Sequence, residues 1–301
     1  MVQRVTNTTM TRILNADIQS NARRLLQAQQ KISSGKQLQR PSDGPANVLH
    51  ALDQRAELRR YEQYGRNAAD AAAWIGSTDS TLATVVERLQ RVRSLVLEGV
   101  NGSIDQTARD AVAAEIEGIR GELVALANTS YLGRPLFVGV VDTEQAFDPV
   151  TGDYLGDSGA VTRTIAPGTT IQVNLPGDEV FGTYDAGDPK NGNLFQVIDQ
   201  LVADIRAGDI DEMRAGIDRL DDAVARIELA QAETGSRGRR LESLDARNGD
   251  VMLDIRANLS EVEDVDYAKA LIELRSQEFA YEAALSVTAR IIQPSLLDFL
   301  R

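Results

Sequence analysis

Residues 82–126 read LATVVERLQRVRSLVLEGVNGSIDQTARDAVAAEIEGIRGELVAL, and this stretch decides the fold class. Leu82, Val85, Leu89, Val92 and Val96 recur at intervals of 3,4,3,4, and Val112, Ile116, Ile119, Leu123 and Leu126 at 4,3,4,3. Both are heptad seams, one apolar stripe per helix. Between them, in GVNGSID, Gly99 and Gly102 end the first helix and Ser103 or Asp105 can cap the second. The stretch predicts a helical hairpin.

Working outward, the same text recurs. Ile210, Met213, Ile217, Leu220, Val224 and Ile227 run 3,4,3,4,3, and a third seam implies a bundle. Upstream, residues 46–97 can form about 75 Å of helix at 1.5 Å per residue, a rod rather than a ball. Gly65 and Gly76 put its continuity in question, since an interior glycine costs about 1 kcal/mol relative to alanine. From about Leu132 the character changes. Residues 141–190 are rich in Gly, Pro, Asp and Thr, with turns written as DPVTGD, APGTT and LPGDEV, and Ile171, Val173 and Leu175 alternate as on one side of a strand. A small β insertion is expected there, after which Leu194, Ile198, Leu201 and Ile205 resume the helical period.

The two chain ends are also helical. Ile18, Ala22, Leu25 and Ile32 are spaced 4,3,7, and Tyr267, Leu271, Leu274, Tyr281, Leu285 and Ile292 are spaced 4,3,7,4,7. A single stripe requires a partner helix, because isolated helices gain most of their stability by packing an apolar face. Residues 1–40 carry seven Lys/Arg and one acid, a net +6, whereas residues 259–301 carry eight acids and four bases, a net −4. Opposite charge favours pairing of the ends, although exposed ion pairs contribute only about 0.2–1 kcal/mol each, so the apolar pattern carries the argument. The expectation is a mainly α, elongated helical rod with N- and C-terminal helices paired. Its domains are 1–45 with 262–301 for the terminal coiled coil, 46–140 with 191–261 for the rod, and 141–190 for the β insertion.

Composition narrows the function. The 301 residues are 43% hydrophobic but only 5% aromatic, which suits narrow helix seams. A net charge of −13 argues against nucleic acid, which demands a concentrated basic footprint. No run of about 18 apolar residues predicts a membrane span, and the first twenty residues lack the apolar stretch of a signal peptide. The chain is therefore read as cytosolic or exported by a different signal.

Candidate chemistry is sparse. With no cysteine and one histidine, thiolate chemistry is excluded and histidine triads nearly so. His50, beside Leu49 and Leu52 in helical text, reads as a packing or surface residue. The acidic runs VEDVDY (residues 262–267) and DAGDPKNGN (185–193) lack the spacing of a cation loop. The first reads instead as a helix N-terminus, capped by Asp264 or Asp266. GSRG (235–238) has no preceding strand, so no nucleotide or other cofactor site is expected.

Several stretches resemble the flagellin superfamily of bacterial flagellar subunits, and within it the hook-associated branch that joins hook to filament. They are LLQAQQKISSGKQLQRPSDGPANV (25–48), QYGRNAADAAAWI (63–75), LANTSYLGRPLFVG (126–139), TGSRGRRLESL (234–244), VEDVDYAKALIEL (262–274) and QPSLLDFL (293–300). The Arg40-Pro41-Ser42-Asp43-Gly44-Pro45 step and the Ser295–Phe299 ending are similar to the hook-filament junction branch rather than to flagellin itself. Gly44 and the LGRPLFVG run depart from that branch's commoner forms. The resemblance implies a structural, non-enzymatic subunit whose partners are the preceding hook-associated protein, flagellin, further copies in a ring-like layer, and an export chaperone. It also implies an extracellular place on the flagellum, reached through the flagellar export channel without a cleaved signal peptide. Ile18, Leu25, Ile32, Leu271, Leu274, Tyr281, Leu285 and Ile292 would form the assembly interface. The chaperone surface would be Leu285, Ile291, Ile292, Leu296, Leu297 and Phe299. A short flagellin is the nearest alternative. An adhesin or hydrolase seated in the insertion is disfavoured by its small span and its nine acids against two bases.

Overall fold

A computed structural model describes residues 7–40, 42, 44–101 and 105–292. The chain divides into two compact units, residues 1–60 with 251–301 and residues 61–250, and the boundary falls inside two long helices.

In the unit of residues 61–250, four helices form the bundle that the seams predict. They are α2 (Pro45–Asn101, which enters this unit at Tyr61), α3 (Gln106–Ala127), α5 (Leu194–Ala207) and α6 (Ile210–Glu263, up to Asp250). Leu82, Val85, Leu89, Val92 and Val96 are all fully buried, as are Ile116, Leu123 and Leu220. Each such side chain contributes roughly 1.5–3 kcal/mol relative to exposure. Ile210, at the start of its seam, is exposed, and Val112, Leu126 and Val224 are half-buried at the edges of theirs. The helix ends follow local chemistry. Asp105 accepts from the Ala108 N–H at 2.8 Å to cap α3, and Asn193 and Gln196 make a reciprocal capping box on α5, which Gly208 ends at φ +72°. Ser103, the other cap expected for α3, lies outside the described residues. Gly65, Gly76 and Gly99 do not interrupt α2. The packed face of α2 outweighs their propensity cost.

Residues 141–190 hold an antiparallel hairpin, β3 (Thr162–Ala166) with β4 (Thr169–Gln172), and the short helix α4 (Gly177–Phe181). Ile171, Val173 and Leu175 are buried, but so is Asn174 between the last two, and β4 itself stops at Gln172, so the one-sided alternation expected there ends with the strand. Phe147 and Phe181 pack at 5.2 Å and 5.8 Å from Phe195 at the start of α5, so insertion and bundle share one core. Three of the stretches that carried the resemblance, together with Asn248 outside them, fasten it. Asn67 and Asn248 donate to the β3 carbonyls of Thr164 and Ile165 at 2.8 and 2.7 Å, and Arg237 donates to the Asn174 carbonyl at 2.8 Å. Asn128 caps α3 and accepts the N–H groups of Ala146 and Phe147. A second hairpin, β1 (Ser130–Tyr131) with β2 (Arg134–Pro135), turns through Leu132 and Gly133, both at positive φ.

The unit of residues 1–60 and 251–301 contains α1 (Asn7–Ser34), the first turns of α2, the last turns of α6, and α7 (Tyr267–Ile292). The terminal helices α1 and α7 are paired.

Candidate functional site

The paired chain ends are the candidate site. On α1 the face turned inward is Leu14, Ile18, Asn21, Leu25, Ala28 and Ile32, continued by Gly35, an unbroken 4,3 heptad. On α7 it is Ala270, Leu274, Gln277, Tyr281, Ala284 and Thr288, again at 4,3 spacing. Of the residues expected at the interface, Ile18, Leu25, Ile32, Leu274 and Tyr281 are half-buried on these faces. Leu271 and Leu285 are exposed. They sit about 60–100° round α7 from its inward stripe, because a 100° turn per residue places positions 271 and 285 beside, not on, the 270/274/277 row. Ile291 and Ile292 form the last turn of α7, and Leu296, Leu297 and Phe299 lie outside the described residues.

Two other positions in the pair were not legible as partners. Lys31 lies 3.5 Å from Glu273, and the fully buried members of the seam are small or polar: Ala28, Ala270 and Thr288. Most large apolar side chains of this unit stay outside the seam. Ile13, Leu26, Leu271, Ile272 and Val287 are exposed, and Phe279 is 75% exposed. Apolar groups therefore occupy nearly every side of α7, a pattern that belongs to a helix surrounded by others.

A polar clamp closes one end of the pair. After α1, Gly35 turns at φ +68°, and its carbonyl accepts the Val265 N–H at 2.9 Å while the Gln37 N–H donates to the Glu263 carbonyl at 2.7 Å. These two bonds make an antiparallel bridge between Lys36 and Asp264. The Lys36 ammonium donates to Asp264 at 2.6 Å and to Glu263 at 3.3 Å. Arg55 of α2 spans both carboxylate oxygens of Glu263 through contacts of 2.7 and 2.9 Å. Glu263 is only 4% exposed, so its charge relies on both partners. The hydrogen bond to Asp264 raises the Lys36 pKa above its ordinary value, and the same bond, with Ser260 donating to the other oxygen, holds Asp264 below the usual carboxylate range. Asp266, not Asp264, caps α7, accepting from the Ala268 and Lys269 N–H groups. The SSGK step and the VEDVDY run, singled out separately in the sequence, are thus two halves of one structure. Pro41 and Asp43 of the neighbouring PSD step lie outside the described residues.

Among the described residues no group of three His, Asp or Glu side chains that could hold a metal ion converges. His50 is exposed on α2.

Comparison with known proteins places this arrangement. Residues 5–142 match the bacterial flagellin N-terminal helical region, and residues 217–300 match the bacterial flagellin C-terminal helical region. Flagellar hook-associated protein 3 of Salmonella typhimurium is 24% identical over 273 residues, covering 85% of this chain and 86% of the relative. Flagellin of Bacillus subtilis is 24% identical over 282 residues, covering 90% and 91%. Among solved structures, a chain assigned as a flagellar hook-associated protein from Vibrio parahaemolyticus superposes with a TM-score of 0.67 at 26% identity, covering 74% of this chain and all of that one. The chain belongs to the bacterial flagellin family, structural proteins of the flagellum.

Proposed function

We propose that the protein is the subunit joining the hook-associated zone to the flagellin filament, and that it acts architecturally, without catalysis. The carrying observation is the unfinished core of the paired ends. Among the described residues of that unit the fully buried apolar side chains are Ala28, Ala51, Ile255 and Ala270, while Ile272 and Phe279 are 71% and 75% exposed. Copies and flagellar neighbours would supply the missing layers, with 1–45 and 262–301 as the assembly domain and 46–140, 141–190 and 191–261 as the folded body. Ile18, Leu25, Ile32, Leu274 and Tyr281 then hold the pair together, and Leu271 and Leu285 meet neighbours in a ring-like layer; the Ile292 side chain lies outside those described. Before assembly the apolar C-terminal residues Leu285, Ile291, Ile292, Leu296, Leu297 and Phe299 suit a chaperone groove, and export through the flagellar channel needs no cleaved signal.

The likeness to hook-associated proteins, with the Arg40–Pro45 step, supports a junction subunit. Those hook-associated relatives favour the junction over the second reading, a short flagellin. Gold-labelled antibody against residues 141–190 separates them: label confined to the filament base supports the junction, and label along the whole filament overturns it.

A further inference from the structure

We propose that Gly35, Lys36 and Glu263 are positioning residues that set the register of the α1–α7 pair, which its own seam does not specify. Both inward faces repeat every seven residues. Sliding one helix by a heptad, about 10 Å, again lays one apolar stripe on the other. The most buried members of the seam, Ala28, Ala270 and Thr288, are small and interlock little against such a slide.

The clamp has no such tolerance. Its two backbone bonds, Val265 to Gly35 and Gln37 to Glu263, fix which residue of one end faces which residue of the other. Gly35 is required twice over. Its φ of +68° disfavours any side chain, and a Cβ there would stand 2.9 Å from the Tyr267 hydroxyl. Glu263 is buried between Lys36 and Arg55, so a slide would remove Lys36 from a carboxylate that has little water to replace it. Arg55 lies on α2, which anchors the clamp to an element outside the pair. The α1–α7 register is therefore fixed at the Gly35–Lys36 end and read outward along the seam.

This inference concerns the chain itself and holds whether it is a junction subunit or a flagellin, so its test uses the free full-length protein. Carbodiimide joins an ammonium to a touching carboxylate as an amide with loss of water, and peptide mapping locates the link. Lys31 and Glu273 report the register of the pair, and Lys190 with Glu212, 2.8 Å apart in the other unit, is the internal control. In the wild-type chain both links form. Gly35→Val and Lys36→Met each lower the Lys31–Glu273 link about tenfold and link Lys31 to other carboxylates such as Asp266, with the control unchanged. Lys36→Arg restores the Lys31–Glu273 link, because arginine keeps the pairing with Glu263 and Asp264. Should Gly35→Val also lose the control link, Lys36→Met, which places no side chain at a positive-φ position, decides the matter. A Lys31–Glu273 link missing from the wild type, or undiminished in Lys36→Met, overturns the proposal.

Discussion

At the residue scale, single positions carry strain or geometry that composition hides. Leu132 sits at φ +50° in the two-residue turn between β1 and β2, followed by Gly133 at +81°. Two positive φ values define the turn type that favours Asn-Gly, and a leucine there bears a left-handed conformation that costs about 1 kcal/mol. Its side chain, 84% exposed, recovers none of this by burial. Leu132→Asn is therefore expected to stabilise the unit of residues 61–250 by about 1 kcal/mol. Trp74 is the chain's one tryptophan and packs at 5.6 Å on Tyr131, so the denaturant midpoint read by its fluorescence checks this directly. An unmoved or lowered midpoint contradicts it.

The element scale concerns α1, α7 and the clamp. Asp264 titrates below its ordinary value of 3.8 because it accepts from Lys36, so its contribution is complete above pH 3.8 and is lost as pH falls through its lowered folded value. Lys36 titrates above 10.5, so its contribution is complete below pH 10.5 and lost as pH rises through its raised value. Protection of the Val265 and Gln37 amides against exchange, corrected for intrinsic rates, should accordingly hold between those limits and fall outside them on both sides. Under the proposed function the exposed side of α7 is an assembly face, distinct from its inward folding face. Leu271→Asp with Phe279→Asp should leave the free chain's stability within about 0.5 kcal/mol and abolish incorporation into flagella, because both side chains already face water. Leu274→Asp, on the inward face, should destabilise the α1–α7 pair in the free chain by about 2 kcal/mol. Equal thermal melting of the two variants by circular dichroism contradicts the division.

For the whole molecule, the two units differ in kind. Residues 61–250 enclose aromatic and branched side chains in one core, which the terminal unit lacks among its described residues. Deleting residues 1–30 or 270–301 should therefore remove incorporation into flagella and leave the Trp74 unfolding transition unchanged, since that residue and its packing partners lie in the larger unit. A shift of the midpoint by more than about 0.5 kcal/mol would show that the body depends on the ends.

The bundle, the paired ends and the hairpin region were legible in the sequence because each rests on local periodicity: a helix that must bury one face writes that face every three or four residues. The same logic narrowed the caps to Ser103 or Asp105 and to Asp264 or Asp266, and the structure chose Asp266 and gave Asp105 its bond, with partners two or three residues away. Tertiary structure alone decided which side of α7 meets α1. Apolar residues such as Leu271, Phe279 and Leu285 ring that helix, so no periodicity distinguishes the seam from surfaces left for neighbours. It alone joined Lys36 to Glu263 across 227 residues and set Tyr267 against Gly35. Such pairings depend on where the chain returns in space, and local sequence spacing carries no record of that return.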